Sequence, residues 1–376
     1  MAKIQRIPEL NFLSELYAAD DPDAQLLAEY PSSNSDDTDF QNKTKFIIHD
    51  PFPPPRKELL KILGPHHLMC GWGCDLEVTS QVAPSAGLLE HWKSIFGVDG
   101  CPRWKPFEDS VDRQFITLFP HESLLPEQQV VEPVANYAMH SKEVIEKIDC
   151  LQADVLKSVV PPCIVKLSHG YAGLGNFLIQ SAADEEAMRN ELEQHWPDST
   201  LVVNSIIENI AADFGVQFYL RRDGSMVWLG FTEQHFNENK KWCGGTFSST
   251  LQTELFDDLS AMIEPAGEYL HSQGYFGVVG IDILRDADKR HFLVDVNPRL
   301  TGITPFLIAS RIFARDRGMG EGIYKASCCF NGSFEQLVDM TDAIDDAQVV
   351  VLSAFEDVLE DEGKSLADKS LADKSL

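Results

Sequence analysis

The sequence predicts an α+β fold behind an N-terminal α/β region, and three observations carry that expectation. Short β-branched and aromatic runs recur as neighbours, with helical stretches between them, which suits antiparallel hairpins more than a regular βαβ winding. One pair of runs, VQFYLRR and MVWLGFTEQ, is separated by Asp223-Gly224, a strong hairpin turn. A second pair, FGVVGIDILR and HFLVDVN, brackets another short turn.

The chain has 376 residues, 44% of them hydrophobic, enough for two or three packed domains. Its formal net charge of −28 argues against a nucleic-acid partner, which needs a basic face, and against an anionic membrane surface. No run reaches the roughly 20 apolar residues of a membrane span, and the N-terminus has no apolar signal core. Eight scattered cysteines in an acidic chain of this kind read as reduced thiols of a cytoplasmic protein.

Taken in order, residues 18–42 are polar and rich in Asp, Ser and Asn, so 1–44 reads as an N-terminal segment that is in part mobile or exposed. KFIIHD and the turn signal PFPPP open a proline-punctuated α/β domain over 45–135. Residues 136–161 read as helical, with Lys142 early in the run. The strand CIVKLS then enters HGYAGLGN, and FLIQ leaves it. Ser181 with Asp184 three residues on is a capping start for the next helix. The strand LVVNSIIE brings this lobe, 136–210, to its end.

The following lobe, 211–350, holds the two hairpins and a helix over 251–272 with a kink expected at Pro265. Within it, QHFNENKKWCGGT at 234–246 reads as a polar loop. It is either an ordinary exposed loop or a lid with Lys240 or Lys241 facing a carboxylate. Residues 351–376 form an acidic tail whose exact KSLAD repeat has no apolar face to bury. His66, His67, Cys70 and Cys74 lie close together, but no second ligand pair stands at a zinc-like distance, so local packing is the better reading.

Three segments carry chemistry. Lys166 sits on a strand just before Gly170, Gly173 and Gly175. Glycines let backbone N–H groups approach anionic oxygens, and a loop joining two antiparallel strands is a flap able to fold over phosphates. It is no Walker A loop, because the lysine precedes the glycines. In the second hairpin, a turn centred between Asp288 and Lys289 sets Asp282 opposite Asp295, with Asn297 on the same face. Ile281, Ile283, Val294 and Val296 then point to the core. Like charges so placed destabilise a sheet unless a cation joins them, and Mg²⁺ commonly takes one or two carboxylates plus substrate phosphates. Arg299 follows at once, either as an ion-pair partner or as a clamp on charge developing in phosphoryl or acyl transfer. The third segment, 201–208, is an apolar strand ending at Glu208, with Asp213 beyond it. A plain strand end and a seat for a nucleotide base are both open there.

In this order (lysine strand, glycine flap, strand ending in acid, then VDVNPRLTG) the chain resembles the ATP-grasp superfamily, and within it the amino-acid and peptide ligases. The resemblance implies two α+β lobes clasping ATP, preceded by a pre-ATP-grasp α/β domain. It implies that Lys166, and Lys142 from the preceding segment, meet the phosphates, that Gly170, Gly173 and Gly175 form the flap, that Glu208 sits at the adenine hinge and that Asp213 reaches the ribose. Asp282, Asp295 and Asn297 would hold one or two Mg²⁺ ions, with Mn²⁺ as an alternative, and Arg299 would stabilise the transferring phosphoryl group. Many family members carry glutamate where this chain has Asp295, and Asn204 and Ser205 stand where a double acid is common at the hinge. The implied activity is ATP-dependent joining of a small carboxylate to an amine, both amino acids, by a chain compatible with a homodimer. A carboxylase working through carboxyphosphate and a nucleotide-binding regulator without turnover are the alternatives.

Overall fold

The computed structural model describes residues 4–33, 39–49, 65–110, 112–170, 175–238, 241–326, 330–342 and 347–354. Strand β1 (Ile4–Gln5) runs parallel to a strand of a later sheet. Helix α1 (Leu13–Asp20) starts where Glu15 accepts the Phe12 N–H at 3.0 Å, and it buries Leu13, Leu16 and Tyr17. Next come β2 (Gln25–Leu27), β3 (Glu77–Ser80), α2 (Ala86–Phe96), β4 (Arg103–Pro106) and β5 (Phe115–Thr117). These strands pair in parallel in the order β4-β3-β2-β5. The polar stretch expected to be loose thus contributes an interior strand, with Leu26, Leu27 and Ala28 fully buried. A three-residue run between acidic neighbours is too short for any periodicity to register.

Residues 44–46 are tied down by one carboxylate. Glu122 accepts the N–H groups of Thr44, Lys45 and Phe46 at 2.8, 2.5 and 3.1 Å, and the Thr44 hydroxyl at 2.9 Å. Three residues on, the His49 N–H donates to the His169 carbonyl at 3.1 Å, so this segment reaches the root of the glycine flap.

Helix α3 (Pro133–Met139) has proline in its first turn, and Glu132 accepts from the Val134 and Ala135 N–H groups at 3.1 and 2.7 Å. The helix expected over 136–161 stops here. Only a 3-10 turn at Lys142–Lys147 follows. Beyond it the backbone is claimed by both lobes: Leu293 N–H donates to Leu151 O at 2.9 Å, and Leu156 N–H to Val203 O at 2.8 Å. Those tertiary bonds outweigh helical propensity.

Strands β6 (Cys163–Leu167), β7 (Asn176–Ile179) and β8 (Leu201–Ser205) form a small antiparallel sheet, order β7-β6-β8. Helix α4 (Ala182–His195) is capped by Ser181 and Asp184 as the sequence predicts, and its Met188 and Leu192 cover Cys163, Val165, Leu167 and Ile179.

The large sheet contains β9 (Ile210–Leu220), β10 (Met226–Phe236), β11 (Trp242–Ser248), β12 (Gly277–Asp286), β13 (His291–Asn297) and β14 (Glu321–Lys325), in the order β13-β12-β9-β10-β11-β14, with β1 beside β10. Gly224 takes φ +84° in the expected β9–β10 turn. Of the stretch 234–246, read as a polar loop or lid, residues 234–236 and 242–246 instead pair as the ends of β10 and β11, while Lys240 lies outside the described residues. The helix expected over 251–272 divides at Leu255 into α5 (Ser249–Glu254) and α6 (Phe256–Ser272), and Pro265 lies inside α6. One sheet face packs on α6 through Leu259, Ile263, Ala266 and Leu270. The other meets α7 (Thr304–Arg317) through Phe247, Ile303 and Leu307, and at its far end the N-terminal core around Tyr17 and Trp72. Helix α8 (Phe334–Asp342) completes the described elements. Among the described residues no helix is long and apolar enough to cross a membrane.

Burial alone pushes the Glu122 carboxyl up, but the three backbone donors outweigh it and bring its pKa to about 2. A depressed pKa contributes stability above the ordinary carboxylate value and loses it as pH falls toward the folded value. Glu122→Gln is therefore expected to lower the urea midpoint at pH 7, with the deficit shrinking between about pH 4.5 and 2. A deficit constant across that range would mean that the carboxylate charge plays no part.

Candidate active site

The register of β12 on β13 sets Asp282 opposite Asp295 and Gly280 opposite Asn297, as the turn arithmetic predicts. One step further the pairing shifts, so that Ile283 faces Leu293. This bulge corrects the expected core: Leu293 is buried in place of Val294. The extra residue has a use, because the Val294 carbonyl accepts the Lys166 ammonium at 2.9 Å. Lys142 donates to Asp295 Oδ2 in a tight ion pair, with side-chain exposures of 10% and 21%. The two lysines expected at the phosphates thus converge on β13, the strand that carries Asp295 and Asn297.

On its other side Asp282 faces Gly215 of β9. A Cβ at Gly215 would lie 2.8 Å from Ile303 Cδ1 and 3.3 Å from Gln234 Nε2. The missing side chain makes room for Gln234, which donates to Asp282 Oδ1 at 2.8 Å. Asn297 Nδ2 stands 3.5 Å from Asp295 Oδ2, and its Oδ1 accepts Arg299 Nη2 at 2.9 Å. The Arg299 guanidinium also lies over the Phe119 ring, 4.9 Å from its centroid, so the N-terminal domain helps to aim it.

The electrostatics split the opposed acids. Burial and the neighbouring Asp295 push Asp282 up. Burial acts the same way on Asp295, but Lys142 and Lys166 more than offset it and hold that carboxyl down. Burial lowers the Lys166 ammonium, while Asp295 works to keep it charged. Asp213, on the same strand and face as Gly215, is raised to about 7 by burial and then by Asp282. Its Oδ1 is buried without a hydrogen-bond partner among the described residues. Glu208 is exposed in the connection from β8 to β9, next to Asn209 at φ +54°.

The flap is anchored at both described ends. Gly170 bridges to His49, and Gly175 takes φ +70°, where a Cβ would fall 2.3 Å from Leu167 Cδ1. Gly173 lies outside the described residues. At the flap root the Ser168 and Ser141 hydroxyls bond at 2.8 Å, the Lys142 N–H donates to Ser168 O at 2.8 Å, and the His169 ring stacks on Tyr137 at 3.9 Å. Sequence reasoning missed Gln234, Ser141, His169 and Phe119. Only Gln234 left a signal, since alternation along β10 from Thr232 puts it on the acid face.

Among the described residues no group of three His, Cys, Asp or Glu gathers as a metal site. Two carboxylates and one amide oxygen still suit a hard cation that takes its other ligands from phosphates and water. The ion pair of Asp295 with Lys142 shows that this strand already calls for positive charge.

Residues 141–297, somewhat under half the chain, match the family model described as L-aspartate–L-methionine ligase, ATP grasp. The butirosin acyl-carrier protein–L-glutamate ligase of Niallia circulans is 23% identical over 164 residues, 43% of this chain. The chain spans only 39% of that relative's length. Among solved structures, the L-amino acid ligase from Bacillus licheniformis is 12% identical, covering 62% of this chain and 64% of its own, with a TM-score of 0.40. The biotin carboxylase domain of the Hydrogenobacter thermophilus 2-oxoglutarate carboxylase, a dimer with MgADP, ADP and bicarbonate, is 14% identical, covering 64% and 53%, with a TM-score of 0.40. The match over residues 141–297 bears out the resemblance to ATP-grasp ligases seen in the sequence.

A partly buried, charge-assisted pair such as Lys142–Asp295 contributes about 1.5–3 kcal/mol. A double-mutant cycle of Lys142→Met and Asp295→Asn, followed by urea unfolding, is expected to return a coupling above about 0.5 kcal/mol. Strict additivity would show that the two side chains do not meet in the free protein.

Proposed function

We propose that this chain is an ATP-dependent carboxylate–amine ligase that joins two small substrates, amino acids among them, and releases ADP and phosphate. The observation that carries the reading is the opposition of Asp282 and Asp295 beneath two lysines and an arginine. Lys142 sits on Asp295, Lys166 on the neighbouring carbonyl, and Arg299 on Asn297. The family-model match spans all of these residues except Arg299, which follows two positions later. A cytoplasmic setting goes with the ATP requirement and with six described cysteines that are all free thiols.

In this reading the substrate carboxylate oxygen attacks the γ-phosphorus of ATP and the bond to the β–γ bridging oxygen breaks, giving an acyl phosphate and ADP. The amine nitrogen then attacks the acyl carbon. The C–O bond to phosphate breaks, the nitrogen loses a proton, and an amide remains. Asp282, Asp295 and Asn297 would hold Mg²⁺, which when bound would supply charge neutralisation at the phosphates. Lys142 and Lys166 hold the phosphate chain. Arg299 lies where charge builds during both transfers, and its stack on Phe119 keeps it aimed. Asp213 and the β8–β9 connection at Glu208 take the nucleoside end. Gly170, Gly173 and Gly175 close over the phosphates and exclude water from the acyl phosphate.

The test is ADP and phosphate release from Mg-ATP by the purified chain, screened over pairs of amino acids and small carboxylates. A product lighter by one water than the sum of its substrates supports the reading. Release that depends on bicarbonate alone supports a carboxylase and overturns it. Asp295→Ala is expected to lower turnover at least about a hundredfold with the fold retained. Lys166→Ala is expected to raise the Kd for ATP about tenfold or more, read by calorimetry, which is a loss of roughly 1.4 kcal/mol. Unchanged turnover in the first variant, or unchanged affinity in the second, would remove that residue from the site.

A further inference from the structure

We propose that β14 is a self-pairing edge, and that two copies of this chain join their large sheets by laying β14 antiparallel on β14 about a two-fold axis through Ile323. This edge stands at the far end of the sheet from β12 and β13, and the pairing does not depend on the ligase reading.

The large sheet ends at β13 on one side and at β14 on the other. The β13 end is covered. Gln152 bridges to Leu293, the Leu293 N–H donates to Leu151 O at 2.9 Å, and the Val294 carbonyl accepts Lys166 at 2.9 Å. Among the described residues β14 pairs with β11 alone. That ladder fixes which of its backbone groups are left over. The Ser249 N–H donates to Gly320 O at 2.7 Å, and the Ala326 N–H donates to Cys243 O at 3.0 Å. Alternation along an antiparallel pair then turns the N–H and C=O groups of Gly322 and Tyr324 toward β11, and those of Glu321, Ile323 and Lys325 away from it. A row of outward donors and acceptors is a template for a further strand.

The side chains of that row are complementary to themselves. The strand reads Glu-Gly-Ile-Tyr-Lys. Glu321, Ile323 and Lys325 are exposed on one face, while Tyr324 turns to the other, with its ring 5.6 Å from Phe306 of α7. Antiparallel pairing centred on Ile323 sets Ile323 opposite Ile323, and Glu321 of each copy opposite Lys325 of the other. The residues so opposed are the same ones whose backbone groups point outward, so hydrogen bonding and charge select one register. A slip by two residues sets Ile323 against a charged side chain and loses both ion pairs. A parallel copy in register would put like charges side by side.

A lysine on an edge strand ordinarily discourages a further strand. Here the antiparallel copy neutralises it. Glu321 Oε1 accepts the Ser248 hydroxyl at 2.7 Å, which steadies the carboxylate on the strand and leaves Oε2 for an ammonium group. Ile323 is 70% exposed at the centre of the row, and a second copy gives that apolar surface its cover.

Sedimentation velocity of the full chain between about 1 and 200 µM is expected to show a monomer–dimer equilibrium, a weak one because so short a strand buries little area. Ile323→Pro removes an outward N–H and no bond to β11, and it should weaken the dimer at least about tenfold. Glu321→Lys and Lys325→Glu each set like charges opposite one another and should weaken it comparably. The double exchange, Glu321→Lys with Lys325→Glu, restores opposite charges in the same register and should return the dimer constant to within about threefold of the original. Where Ile323→Pro lowers the urea midpoint, the charge variants, both at exposed positions, decide alone. A chain that stays monomeric over the whole range overturns the proposal. So does a dimer indifferent to the single charge reversals, or one that the double exchange fails to restore.

Discussion

Two carboxylates facing each other across an antiparallel pair repel, and the rest of this molecule is arranged around that constraint. Asp282 and Asp295 are fixed by the ladder of β12 and β13, whose neighbour β9 buries Phe214, Val216, Phe218 and Leu220 in the core under the sheet. The strands cannot yield, so compensation comes from elsewhere. It comes as the Lys142 ammonium, the Gln234 amide and the chain from Asn297 to Arg299. An ion pair sharing a sheet with an opposed acid is weak evidence for stability and better evidence for a site that expects a cation.

That demand for charge also joins the lobes. Lys142 and Lys166 belong to the segment that carries the glycine flap, while the acids belong to the large sheet. The Lys142 N–H bonds to the Ser168 carbonyl, and Ser141 to Ser168, which ties the lysine to the flap root. On the ligase reading, a ligand bearing phosphates would compete with Asp295 for Lys142. The acids and the flap root are thereby joined through a few neighbouring residues.

Much of this was legible in the sequence because it rests on period-two alternation and turn chemistry. Asp223-Gly224 marked one hairpin, and counting back from Asp288 and Lys289 placed Asp282 against Asp295. The bulge at Val294 was not legible, because a register shift leaves the apolar pattern intact while exchanging Leu293 for Val294 in the core. Nor was β2, a three-residue strand held by parallel neighbours distant in sequence. The supposed helix beyond residue 147 failed for a related reason: its backbone partners, Val203 and Leu293, lie some fifty and more than a hundred residues away. Local propensity cannot weigh bonds of that range.

The same reasoning explains why catalytic parts could be read and recognition parts could not. Acids, lysines and glycines act through types and spacings that chemistry dictates, and they sit close together on two short stretches of chain. The residues that aim those groups come from elsewhere: Phe119 lies against Arg299, and Gln234 donates to Asp282. Neither is unusual where it stands, and its meaning arises only when the fold brings it to the acids. On the ligase reading, a chain that sets its acids on one hairpin and draws the surrounding contacts from several elements would change those contacts without disturbing the acids.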